Sequence, residues 1–145
     1  MNAHAQRRLE DLLDREIETA RRLAGVLSTE RAALTGHQAD AVHQMADDKT
    51  RLFAEIEALE LERRSLWDSP GSGGRGMAAT VADRWRQLLE LIAGCRSANE
   101  VNGHIIHIRQ NQIRQLIDIV RGGAPMTYGR QGKTCSRALR ALARA

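Results

Sequence analysis

A chain of 145 residues with 42% apolar and 28% charged side chains is long enough for one globular domain and too short for two comfortable ones. Aromatics at 3%, two prolines and few β-branched residues in the first half exclude a sandwich, a barrel or a doubly wound sheet, while abundant Leu, Ala, Arg and Glu favour long helices. The net charge of +4 is unevenly spread: residues 1–121 carry 17 Lys+Arg against all 18 Asp+Glu, and residues 122–145 carry five cations and no acid.

The N-terminal stretch MNAHAQRRLEDLLDRE meets charges before any apolar core, so no secretion leader is expected, and no run approaches the ~18 apolar residues of a membrane span. Between about Ala3 and Leu34 a 4-3 spacing collects Leu9, Leu13, Ala20, Leu23, Leu27 and Leu34, with Leu12, Ile17 and Ala24 beside it and Glu16 and Glu30 interrupting it. Gly36 supplies a left-handed residue to end this helix, and Asp40 reads as the N-cap of the next. His37 and His43 flank the turn and read as solvated. The second seam runs Val42, Met45, Lys49, Leu52, Ile56, Leu59, Arg63 and Leu66, where the two cations are expected to lay their stems on the seam and lift their charges to water.

SPGSGGRG (69–76) reads as the one clear linker; it lacks the Lys-Ser/Thr and strand context of a phosphate loop. A third helix is expected from Met77–Val81 to Gly122–Gly123, with Pro125 just beyond. Its seam is regular: Val81, Trp85, Leu88, Ile92, Cys95, Asn99, Asn102, Ile106, Arg109, Ile113, Leu116 and Val120. Cys95 reads as a small core residue rather than a nucleophile, and two isolated cysteines, Cys95 and Cys135, suit a reducing compartment. Asn99 and Asn102 either fix register, as a buried Asn does in coiled coils, or lie where the bundle opens to water.

Helices of roughly 32, 28 and 44 residues would span about 48, 42 and 66 Å. Short connections make neighbours antiparallel, so the fold class is all-α, an elongated antiparallel bundle of three long helices with coiled-coil-like packing and a flexible C-terminal tail. The expected domains are 1–122 (helices about 3–35, 40–67 and 78–121, linker 68–77) and a basic tail, 123–145, in which Ser136 caps a short amphipathic turn carrying Leu139 and Leu142. On this count the third helix passes the Gly36 turn near residues 105–109 and continues beyond it. That extension is aliphatic over roughly 180° of its surface, wider than the ~100° stripe of a one-sided helix. It reads as a docking surface for another helix, or as a segment that bends back or pairs with itself in a dimer.

No catalytic constellation is present. His104 and His107 lie three apart with Glu100 four before His104, and a lone pair of this kind does not make a metal site. No enzyme activity, metal or cofactor is expected. Without a recognisable motif or interleaved aromatics, the case for nucleic acid is weak; a nucleic-acid or membrane-binding module would depend on the basic tail.

NEVNGHII (99–106), the aliphatic residues after it, RGGAP (121–125) and TYG (127–129) resemble the C-terminal half of FlgN-type flagellar export chaperones, and ERAALTGHQADAV (30–42) and LELERRSL (59–66) resemble that family's helical hairpin. The likeness covers about Leu9 to Gly132; the extension GKTCSRALRALARA (132–145) has no counterpart in it. The resemblance implies a cytoplasmic chaperone of flagellar type III export. Such a chaperone binds the C-terminal amphipathic helices of the hook–filament junction proteins FlgK and FlgL, prevents premature assembly and delivers them to the export gate. It also implies cargo binding by the last long helix, here Ile105, Ile108, Ile113, Leu116, Ile117 and Val120, and an export-gate contact by Tyr128. Membrane contact would be indirect, through the export apparatus. The alternative is a self-associating coiled-coil structural or adaptor protein, a homo-oligomer in which a second copy covers the same face.

Overall fold

The computed structural model describes residues 3–69 and 78–122. They form three α-helices, α1 (Ala3–Thr35), α2 (Ala39–Trp67) and α3 (Ala79–Val120), with no strand among the described residues. Residues 70–77 of the expected linker, 68–77, and the tail from 123 onward, with Tyr128, Ser136, Leu139 and Leu142, lie outside the described residues. Two compact units divide the chain, Met1–Asn102 and Gly103–Ala145, so the first holds α1, α2 and α3 as far as Asn102.

Within the first unit the cross-helix contacts fix the directions. Arg8 pairs with Glu62, Arg22 with Glu55 and Lys49 with Glu30, so α2 runs antiparallel to α1. Thr80 meets Glu10, Arg84 meets Asp14 and Asn102 meets Leu27, so α3 runs parallel to α1 and antiparallel to α2. α1 is buried along most of its length because its two apolar rows serve two neighbours. Leu9, Leu13, Ile17 and Ala20 pack with Val81 and Leu88 of α3. Further along, Leu23 and Leu27 pack with Leu52 of α2 and Cys95 of α3. Each fully buried aliphatic side chain contributes about 1.5–3 kcal/mol in transfer terms, which makes this core the main stabilising element.

Two expectations about helix ends are corrected. The left-handed residue after α1 is His37 (φ 56°), not Gly36. The Gln38 amide donates to the Ala33 carbonyl (3.0 Å) and the His37 amide to that of Leu34 (3.5 Å), a Schellman arrangement in which His37 takes the place usually held by glycine. Asp40 is not the N-cap of α2: Gln38 holds that position without a side-chain cap, and the Asp40 carboxylate lies in the first turn, where it complements the helix dipole. α3 ends as expected, with Gly122 at φ 69°.

Lys49 and Arg63 correct a third expectation. Neither lifts its charge to water. Arg63, 9% exposed, donates from Nε to both Glu16 carboxylate oxygens (3.1 and 2.8 Å), and its guanidinium lies 4.5 Å from the centre of the Trp85 ring. Lys49 donates to Glu30 at 3.3 and 3.0 Å. Glu16 and Glu30 are the reason: both face inward from α1, and a buried carboxylate is tolerable only when opposite charge meets it.

Candidate functional site

The Asn-x-x-Asn-Gly stretch of α3 closes the first unit with a polar layer. Asn102 is fully buried; its amide nitrogen donates to the Leu27 carbonyl (2.8 Å) and to Glu30 (2.9 Å), and its oxygen accepts from Arg31 Nε (3.0 Å). Asn99 accepts from Lys49 Nζ at 3.0 Å. One carboxylate, two cations and two amides from three helices thus satisfy one another, and no buried side-chain nitrogen or oxygen among the described residues lacks a partner. Of the two readings open for these asparagines, Asn102 answers to the buried one. The layer works only in one register, since a slip by one turn would leave several buried polar groups unpaired.

Cys95 is a core residue. Its thiol donates to the Ala20 carbonyl at 3.5 Å, and burial pushes its pKa up, away from the thiolate a nucleophile needs. His37, His43, His104 and His107 are exposed. No group of three His, Cys, Asp or Glu among the described residues is placed to hold a metal ion. A shallow groove of about 480 Å³ between α1 and α2 contains Arg22 and Arg51, but both are already paired, with Glu55 and Asp48.

From Gly103 the character of α3 changes. Ile105 and Ile106 are half-buried, and every aliphatic residue after them is exposed: 57% for Ile113, 62% for Leu116 and 84% for Val120, with Ile108 and Ile117 open as well. Ile119 is also exposed and extends the face beyond the six residues expected from sequence; the breadth of the aliphatic arc was the signal for it. Scattered exposed aliphatics are ordinary, but a run of this density on one helix is the usual mark of a surface that meets another protein. The apolar groups offer shape and area without any reactive group, so the face can bind a helix and release it unchanged.

The family model described as FlgN protein matches residues 1–136. The chain belongs to the FlgN family. Comparison with curated proteins gives no match, and comparison with solved structures gives none either. FlgN-family proteins are chaperones of flagellar protein export that bind flagellar substrate proteins. This FlgN-family chain has no described helix long and apolar enough to cross a membrane.

Proposed function

We propose that this FlgN-family chain is a cytoplasmic chaperone for hook–filament junction proteins of the FlgK and FlgL type. The aliphatic face formed by Ile105, Ile108, Ile113, Leu116, Ile117 and Val120 holds the C-terminal amphipathic helix of one of them. The observation that carries this reading is that face: a dense set of exposed aliphatic residues on a helix of an export-chaperone family member. A cargo helix made to polymerise presents an apolar stripe of its own. Covering it prevents premature assembly, and a cover built from dispersion and the hydrophobic effect lets go without chemistry or cofactor. Six aliphatic side chains at about 1.5–3 kcal/mol each, met by a similar number on the cargo helix, can leave the roughly 8 kcal/mol of a micromolar complex after association costs of about 4–15 kcal/mol.

Tyr128 completes the reading as the residue that meets the export gate. Titration of the full chain with the C-terminal segments of the two junction proteins tests the cargo assignment, with binding near micromolar expected for at least one. Absence of binding to either, together with a tight dimer in sedimentation, would instead favour a self-associating coiled-coil protein. For the gate, Tyr128→Ala should keep cargo affinity and lose affinity for the gate protein; unchanged gate affinity removes Tyr128 from the contact.

A further inference from the structure

The seam of α3 carries a cation into the middle of the aliphatic face, and among the described residues nothing neutralises it. Within the first unit the charged seam residues of α1 and α2 are matched across helices, Glu16 by Arg63 and Glu30 by Lys49. The same spacing continued through Asn102, Ile106, Arg109, Ile113, Leu116 and Val120 sets Arg109 on the apolar face, with Ile105, Ile106, Ile113 and the neutral Gln112 three or four residues away. Arg109 is half-buried, yet among the described residues its guanidinium has no hydrogen bond or ion pair. Residues 1–2, 70–77 and 123–145 contain no Asp or Glu. Asp118 is the one acid after Gly103, and it lies nine residues from Arg109, half a turn round the helix on the opposite side.

We propose that Arg109 sets the register of whatever helix docks here, and that the docking helix belongs to another protein and carries one carboxylate within its apolar stripe. The proposal rests on the cargo-face reading above and names the chemistry of the cargo. The charge itself argues against other occupants. A second copy laid face to face offers Arg109 aliphatic side chains, the neutral amide of Gln112 or another Arg109, and no carboxylate. The chain's own tail offers five cations and no Asp or Glu. In either case docking would strip water from a guanidinium and supply no opposing side-chain charge in return. A Glu or Asp in the opposing stripe accepts from the planar guanidinium in a two-pronged hydrogen bond, and a single charged pair inside an apolar seam penalises every other register.

The test titrates the full chain with three helical peptides that share one Leu/Ala stripe and differ only at its central position, which holds Glu, Gln or Lys. Fluorescence anisotropy reads the affinity. The Glu peptide should bind about tenfold or more tighter than the Gln peptide, the Lys peptide weakest of all, and Arg109→Gln should erase the ranking while keeping full helicity by circular dichroism. Equal affinity of the three peptides, no binding by any of them, a ranking that survives Arg109→Gln, or melting of that variant overturns the proposal. Ile113→Asp separates the two readings. If it abolishes binding while Arg109→Gln changes nothing, the face stands and Arg109 falls. If it leaves binding intact, the cargo-face reading falls with it.

Discussion

Glu16 and Arg63 illustrate what a charged residue on a helical seam costs and how this chain meets that cost. Removing one partner alone leaves the other buried and uncompensated, so Glu16→Ala should destabilise the protein by about 3–5 kcal/mol, whereas replacing both partners by Leu should cost far less. Urea unfolding of the three proteins checks this. The Glu16 carboxyl adds a pH signature. Burial pushes its pKa above the ordinary glutamate value more than Arg63 pulls it down. The folded chain therefore holds this proton more tightly than the unfolded chain. Stability from the group is complete below the unfolded pKa and is lost as pH rises through the folded one. Between pH 7 and pH 4.5 the wild type should gain stability relative to Glu16→Gln. A difference that shrinks on acidification would place the folded pKa below the unfolded one. At this scale the sequence was only half legible. Spacing placed both glutamates and both cations on seams, but which cation met which glutamate depended on the vertical offset of α1 and α2. Pattern alone does not contain that offset, and so the snorkelling expectation failed.

The helices themselves were the most legible level. Their apolar spacing and the Gly and Pro punctuation delimit Ala3–Thr35, Ala39–Trp67 and Ala79–Val120 because long amphipathic rows have few ways to bury themselves. The caps were less so. A glycine one residue before the left-handed position suggested itself as the C-cap, yet the turn puts the positive φ on His37, where an L side chain is strained. His37→Gly should consequently stabilise the protein, by about 0.5–1 kcal/mol, despite the greater freedom it gives the unfolded chain; a shift in the urea midpoint at unchanged slope measures it. A lower midpoint would mean that the His37 side chain contributes more than its backbone costs. α3 shows the other limit. Its seam keeps one rhythm from Val81 to Val120, but the burial does not: Val81, Leu88, Cys95 and Asn102 are core, while Ile113, Leu116 and Val120 are exposed. Periodicity states which residues share a face. It is silent on whether a neighbour covers them, and the breadth of the aliphatic arc carried that information instead.

At the scale of the whole molecule, α3 changes character along one helix. Up to Asn102 it is structural, ending in a polar layer that ties Glu30, Lys49, Asn99 and Asn102 into a single register. Beyond Gly103 it carries exposed aliphatic surface that the family's role as export chaperones makes intelligible. The central claim is that this surface is open in the free protein and is the place where cargo binds. The most direct measurement pairs circular dichroism with cargo-peptide titration for the Ile113→Asp, Ile117→Asp double variant. Each new carboxylate would have to be desolvated at a contact but costs little on an open helix face. The account predicts wild-type helicity and melting temperature with cargo binding abolished; a variant that melts, or one that binds cargo as tightly as the wild type, would contradict it.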